Sequence, residues 1–199
     1  MEYPHVVWAR LYGHIEPIER ARRYDDPLQA ALDEAGAGAI TGGGTQLSRA
    51  GGIEFADLEI ELADRGPSLN LVARTLEDAG APRGSELVDG EEEVLREFGR
   101  QECLAIFLDG ISLPDEVYDT LDFERVVEDI ATAAGPDSYR GFWQRNEETG
   151  LFYYGASAEA MFGRVEPLLH ALPIGQNARV VVGYGKEGLP SRTVRMPRR

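Results

Sequence analysis

Residues 1–99 and residues 103–199 carry the same order of predicted elements: a strand, a helix, a pair of strands, a helix and a strand. Strands are indicated where apolar and polar residues alternate, and helices where apolar residues recur three and four positions apart. Glycines end the helices in both parts: Gly36, Gly80 and Gly135. A βαββαβ order that occurs twice predicts an internal duplication, with its joint at residues 99–102.

In the first half, alternating apolar residues and Pro or Gly boundaries predict the strands and helices. The predicted strands are residues 5–12, 39–47 and 53–62; after a loop the first helix starts at an acidic cap, Asp25–Asp26, and the second starts near Pro67. Gly51–Gly52 is the predicted turn of the strand pair, and a change in apolar phase predicts a bulge near Ala56–Asp57. Residues 85–99 fit either an acidic helix or a hairpin turning at Asp89–Gly90, and we favour an edge strand.

The second half repeats this arrangement with clearer helix caps. The predicted strands are residues 104–108, 139–145, 151–154 and 179–184, with a further strand from Ser191 to Met196. Asp122 and Ser157 are the predicted caps of its two helices, and an acidic loop, residues 113–116, precedes the first of them. Residues 146–150 are the predicted turn, and Pro167 is expected to bend the last helix.

The order of elements resembles the ferredoxin-like sandwich, duplicated over nearly the whole chain. This resemblance implies an α+β fold with two tandem ferredoxin-like βαββαβ sandwiches, a first lobe at 1–99 and a second lobe at 103–199 with a C-terminal extension. Because many unrelated proteins share this fold, it implies no reaction. The segments Thr41–Leu47 (TGGGTQL) and Gln176–Val181 are similar to those of a bacterial protein family without an assigned function, which implies a family and no mechanism.

Charge restricts the partners of this chain. Its 20 Lys and Arg against 35 Asp and Glu give a net charge of −15, which repels polyanions such as nucleic acids and anionic membranes. The charge is uneven, because residues 1–137 carry 11 Arg against 30 acidic residues, a net −19, whereas residues 138–199 carry 9 cations against 5 acids, a net +4. This asymmetry marks a partner surface, or basic elements that pack beside acidic ones; we favour the second interpretation.

Targeting features predict a cytoplasmic protein. The N-terminus has no basic stretch followed by an apolar core, the apolar runs are too short to span a bilayer, and the single Cys103 cannot form an internal disulfide. Nearly all cations are Arg, Lys186 being the one Lys, which suggests a GC-rich bacterial source.

A glycine-rich segment is the first candidate ligand site: Gly42, Gly43, Gly44, Thr45 and Gln46. Bare backbone N–H groups can hold an anion. The segment lacks the Gly-Lys-Ser/Thr of a phosphate-binding loop, however, and no helix is predicted to start there. A glycine-rich strand edge that lets another part of the backbone approach closely is the structural interpretation, and we favour it.

A second candidate ligand site is aromatic and basic. Its members lie on three predicted strands: Arg140, Trp143, Tyr153 and Arg179, together with Tyr139, Arg145 and Tyr154. On an exposed sheet face these side chains would stack on bases, as in RNA-binding sheets. Packing across strands explains the same pattern, and the acidic charge favours that interpretation.

No segment predicts a catalytic residue, a cofactor or a metal. The acidic groups at Asp57, Glu59 and Glu61 and around Asp109 lack calcium-loop spacing, and the three His residues lack ligand spacing. Cys103 enters an apolar strand, so we expect it to be buried rather than nucleophilic.

Three functional hypotheses remain, in order of preference. The first is a non-catalytic binding or interaction protein that recognises a protein or small ligand across two lobes. The second is a small-molecule enzyme with an anion-binding cleft beside Gly42–Gln46, and the third is a single-stranded nucleic-acid module, which the charge disfavours. The sequence leaves a homodimer open and predicts no membrane association.

Overall fold

The computed structural model describes residues 3–48, 52–145 and 147–197. The chain folds into two units, each compact in itself. The first unit is Met1–Gln101 with Gly185–Glu187, and the second is Glu102–Tyr184 with Gly188–Arg199. Each unit contains one five-stranded antiparallel sheet.

The first unit has the strand order of a ferredoxin-like sheet with one added strand. Its elements are β1 His5–Tyr12, α1 Pro17–Arg20, a π-helical turn Ala21–Asp25, α2 Asp26–Ala35, β2 Gly38–Leu47, β3 Ile53–Leu62, α3 Pro67–Asp78, β4 Ser85–Val88 and β5 Val94–Phe98. The sheet order is β2-β3-β1-β4-β5. Strands β2 and β5 are therefore the edges, and β1 lies in the centre.

The second unit repeats this order. Its elements are β6 Glu102–Asp109, α4 Asp115–Asp119, α5 Phe123–Ala134, β7 Tyr139–Gln144, β8 Glu148–Gly155, α6 Ala158–Ala171, a 3₁₀ turn Pro173–Gly175, β9 Arg179–Tyr184 and β10 Arg192–Arg195. The sheet order is β10-β9-β6-β8-β7. If the strands are numbered from one within each unit and the second sheet is read from β7, the order is 2-3-1-4-5 in both units. The α+β class and the two tandem ferredoxin-like sandwiches are confirmed.

Each unit buries one face of its sheet under its helices. Strand β1 places Val7, Ala9 and Leu11 in the first core, all without exposed surface. Strand β6 places Leu104, Ile106 and Leu108 in the second. Alternation with a period of two separates these residues from those on the other sheet face, as a strand requires.

The predicted loop before the first helix is wrong, as is the predicted cap. Helical structure already begins at Pro17, and Asp25 lies inside it, where its side chain accepts hydrogen bonds from Arg20 rather than from the backbone. Pro27 has no N–H for the carbonyl of Arg23, and its ring crowds that carbonyl. A π-helical turn immediately before α2 accommodates such a defect without ending the helix.

The predicted bulge at Ala56–Asp57 is also wrong. The β1–β3 register runs without a break from His5–Leu62 to Tyr12–Phe55, and the irregularities lie in the β2–β3 pairing, at Ile40/Gly42 and Gln46/Leu47. Ala56 is buried in phase with the rest of the strand, so the change of phase falls nearer the turn. The predicted turn is Gly51–Gly52, and Gly51 lies outside the described residues. Beside it, the Ser48 N–H donates a hydrogen bond to the Gly52 carbonyl at 2.8 Å.

Three further predictions concern segment boundaries. Residues 85–99 form a hairpin whose second strand is an edge, as favoured, and the acidic loop at 113–116 runs into the short helix α4, which was not predicted. Strand β8 starts at Glu148, so the predicted turn at 146–150 is too long, and residue 146 lies outside the described part. Helix α6 continues through Pro167. No helix among the described residues is long and apolar enough to cross a membrane.

Candidate functional site

The glycine-rich segment forms edge strand β2, and its three glycines lie in different surroundings. Gly43 faces α1, where Arg20 donates from Nη1 to the carbonyl oxygens of Gly44 and Asp57, both at 3.2 Å. A Cβ on Gly43 would lie 2.7 Å from Arg20 Nη1 and 2.6 Å from the Asp57 carbonyl oxygen. Close approach of a side chain and a backbone therefore requires the glycine, and Arg20 fills the space beside it.

The other residues of this candidate site lie on the rest of β2. Gly42 and Gly44 are paired with Glu59 and Asp57, so they share the face of those carboxylates. Thr45 is half-buried, whereas Gln46 is exposed and donates from Nε2 to the Leu47 carbonyl at 2.9 Å. The segment therefore presents carboxylates rather than a cluster of free N–H donors.

A charged network of the first unit is centred on Arg10. Its guanidinium donates to Asp57 at 3.2 Å and to Glu92 at 2.8 Å, and stacks 4.4 Å from the Phe55 ring centroid. Burial raises the pKa of Asp57 even though Arg10 lies beside it. Because both carboxylates already bind Arg10, this cluster stabilises the sheet face rather than offering an open site.

Two of the predicted aromatic and basic residues are in the interior of the second unit. Tyr153 has no exposed surface and lies in the helix-side core, its ring 5.5 Å from that of Tyr139. Arg140 sits at a register shift of β7 and is buried, donating to the backbone carbonyls of Asp137 and Tyr139. Neither side chain contributes to an exposed platform.

Trp143 and Arg179 lie on the opposite face of the sheet. Arg179 is held 3.7 Å from the Phe107 ring centroid and donates to both carboxylate oxygens of Glu148, at 2.8 and 2.9 Å. Trp143 packs on the same face and carries Arg145 over its ring at 4.8 Å. The structure thus separates the four predicted residues into a buried pair and a half-buried pair on the other sheet face.

Cys103 is buried, as the sequence predicts. Burial raises the pKa of its thiol to about 12. A thiol with such a pKa stays protonated at neutral pH and is a poor nucleophile.

The sequence did not indicate the cavity that we call the second-unit pocket. It has a volume of about 600 Å³ and opens between the α4–α5 region and the β7–β8 hairpin. Its apolar wall consists of Leu108, Leu121, Phe123, Phe142 and Ile174. Phe142 is 42% exposed and meets Phe123 edge to face at 5.4 Å between centroids. Pockets of this volume suit small molecules.

One rim of the second-unit pocket is fixed by Asp109. Its carboxylate accepts hydrogen bonds from Ile111 N at 3.0 Å, Ser112 N at 2.7 Å and the Tyr118 hydroxyl at 3.1 Å. Burial alone would raise the pKa of Asp109, but these hydrogen bonds, with that of the Ser112 hydroxyl, lower it to about 2. Asp109 is therefore an ionised anchor of the loop and a poor proton acceptor.

The other rim carries three polar side chains, of which Arg145 also lies over the Trp143 ring. Gln144, Arg145 and Thr149 line it, and among the described residues none of their side chains has a hydrogen-bond partner. No carboxylate of the described part lies within 4.0 Å of the Arg145 guanidinium. The alternation Phe142, Trp143, Gln144 along a strand could have indicated that Phe142 and Gln144 share a face opposite Trp143.

The described residues contain a further groove but no metal cluster. The groove, about 480 Å³, lies in the first unit between the α1–α2 segment and α3, where Arg23 pairs with Glu19 at 2.6 Å. Within residues 3–48, 52–145 and 147–197, no three His, Cys, Asp or Glu side chains are placed to hold a metal ion.

No protein-family model and no curated protein sequence matches the chain. Several solved structures are similar to it. The regulatory subunit of aspartate kinase from Thermus flavus is 13% identical, covers 82% of this chain and 92% of its own, and has a TM-score of 0.27. The first two RRM domains of the yeast poly(U)-binding protein are 11% identical, cover 96% of this chain and 98% of their own, and have a TM-score of 0.25. Likenesses at this level carry no information about function.

Proposed function

We propose that this chain is a non-catalytic binding protein that holds a small carboxylate ligand with an apolar body in the second-unit pocket. The observation that carries the proposal is the combination of an aromatic wall with Arg145, which lies over the Trp143 ring but forms no ion pair within the described residues. A ring or alkyl body would pack on Phe142 and Phe123, while its carboxylate would accept hydrogen bonds from Arg145 and Gln144.

The charges favour a ligand with a single negative charge. One guanidinium, one amide and one hydroxyl line the polar rim, which is enough for a carboxylate. A polyphosphate or a nucleic acid would meet the repulsion of a chain with a net charge of −15.

The chemistry of the lining supports binding rather than catalysis. The described lining residues include no Cys, His or Lys, and Asp109, with its pKa of about 2, is committed to the loop. A general base needs a pKa near the working pH, which Asp109 does not have.

The test is a titration with 4-phenylbutyrate, followed by the fluorescence of Trp143 in a Trp8→Phe background. Trp143 lies under Arg145, so a carboxylate at Arg145 changes its surroundings. We expect saturable binding with a Kd of roughly 1 mM for a ligand of this size, weakened about tenfold by Arg145→Gln.

Phe142→Ala should also weaken binding, whereas Arg74→Gln, at an exposed position of the first unit, should leave it unchanged. Absence of saturable binding, or equal binding by wild type, Arg145→Gln and Phe142→Ala, would refute the proposal.

A further inference from the structure

Strand β2 is an uncharged edge in a highly charged chain. Among the described residues it pairs only with β3, and none of its ten residues, Gly38–Leu47, is charged. The other edge strands carry Arg or Glu, for example Arg96 in β5 and Arg192 in β10. Charged side chains protect sheet edges from pairing, so β2 lacks a protection that the other edges have.

One face of β2 carries mainly small residues, and it adjoins an acidic row. On this face Ala39, Gly42 and Gly44 are paired with Glu61, Glu59 and Asp57 of β3. A Cβ on Gly44 would meet no atom within 4 Å, and Gly44 is exposed. The acidic side chains of β3 can therefore be reached across β2 past small side chains only, those of Ala39 and Thr41.

Two of these carboxylates are not neutralised. Asp57 binds Arg10, but no Lys or Arg of the described part lies within 4.0 Å of Glu59 or Glu61. Within residues 3–48, 52–145 and 147–197, the one side-chain hydrogen bond that Glu59 accepts comes from the Thr41 hydroxyl, at 3.1 Å. The first unit as a whole has 11 cations against 21 acidic residues, a net −10. A cationic partner would relieve this excess of negative charge.

We propose that β2 binds an extended segment of a partner protein, as an added strand, with Lys or Arg at every second position. An added strand lies about 4.8 Å beyond β2, hence about 10 Å from β3. Long cationic side chains can span that distance along a surface whose own side chains are mostly small. Main-chain hydrogen bonds would give affinity, and the alternating cations would give specificity.

Side chains of the helical segment bind the backbone of β2 at two points, so an added strand does not pair with the Ile40 amide. Gln29 Oε1 accepts from Ile40 N at 2.9 Å, and Arg20 donates to the Gly44 carbonyl at 3.2 Å. A second copy of this chain would bring another uncharged strand and a further net charge of −15, and would leave Glu59 and Glu61 without cations. A basic segment is therefore the better occupant.

The test uses two peptides of equal charge, acetylated and amidated: Lys-Val-Lys-Val-Lys-Val-Lys, and the same peptide with Pro in place of each Val. Binding is measured by calorimetry at 0.15 M salt. We expect the Val peptide to bind at least tenfold more tightly, because Pro cannot pair with a strand edge. The amides of Gly42–Gln46 should then exchange more slowly with deuterium.

Variants of Gly42 and Glu59 test whether the Val peptide binds along β2, beside Glu59. Gly42→Lys puts a cation beside Glu59 within the chain and should weaken binding of the Val peptide at least fivefold. Gly42→Ala is the matched control and should bind normally, because its Cβ would lie 3.6 Å from Glu59, an ordinary contact. Glu59→Gln should also weaken binding of the Val peptide. If Gly42→Lys does not fold, Glu59→Gln alone tests the position of the peptide.

Equal binding of the two peptides, no binding, or unchanged binding by Glu59→Gln would overturn the proposal. If this chain forms a dimer and Gly42→Lys dissociates it, β2 binds a second copy of the chain instead of a basic segment.

Discussion

At the scale of single residues, neighbouring glycines of β2 differ in what they allow. Gly43 faces Arg20 and the Asp57 carbonyl, whereas Gly44 faces open space. The sequence shows the same residue type three times in a row, so it cannot distinguish a glycine that is required by packing from one that is not. Arg20, which makes the difference, lies in a segment predicted as a loop.

Gly43→Ala should therefore destabilise the protein, and Gly44→Ala should not. The Cβ at position 43 would force Arg20 or the backbone of β3 to move, at a cost of about 1–3 kcal/mol in the free energy of unfolding. At position 44 the change should remain within about 0.5 kcal/mol. Urea denaturation of the two variants measures both values, and equal losses would contradict this account of Arg20.

At the scale of elements, each strand carries two chemically different faces. In β9, Val180 and Val182 are buried in the helix-side core, whereas Val181 is half-buried on the other face, beside the cluster of Cys103 and Phe107. Alternation in the sequence predicts that the faces differ. It does not say which face the helices cover in a run of three Val residues, because all three are equally apolar.

Val180→Asp should destabilise the second unit by several kcal/mol, because it buries a carboxylate without a partner in a fully enclosed position. Val181→Asp should cost clearly less, since its side chain keeps partial access to water. Thermal unfolding followed by circular dichroism compares the variants. If Val181→Asp lowered the Tm as much as Val180→Asp, the assignment of the two faces would be wrong.

The elements that the sequence missed are short. Helices α1 and α4 have four and five residues, too few for an apolar repeat to be recognised. The longer helices α3, α5 and α6 were predicted because their apolar stripes and boundaries extend over several turns. The second-unit pocket was missed because its wall is assembled from α5, β7 and the loop after β6, which are distant in sequence.

At the scale of the whole molecule, the strand order and the net charge can be compared between the two units. Both sheets have one strand order, so the duplication that the repeated elements predicted is confirmed. The basic residues 138–199 fold largely within the second unit, where 9 Arg meet 14 acidic residues, a net −5. Arg164, for example, donates to the Ala133 carbonyl at the end of α5, at 3.0 Å. The basic stretch of the sequence thus does not produce a basic unit, which argues against a nucleic-acid partner.

The central claim, a carboxylate site in the second-unit pocket, is tested most directly by mapping amide chemical shifts in ¹⁵N-labelled protein during a titration with 4-phenylbutyrate. We predict that the largest shifts occur at the pocket residues Gly110, Gln144 and Thr149, saturate together, and are lost in Arg145→Gln. The corresponding amide, 4-phenylbutyramide, should produce weaker shifts at the same residues, because it lacks the charge that Arg145 recognises. Largest shifts in the first unit, or no saturable shift at these residues, would contradict the account.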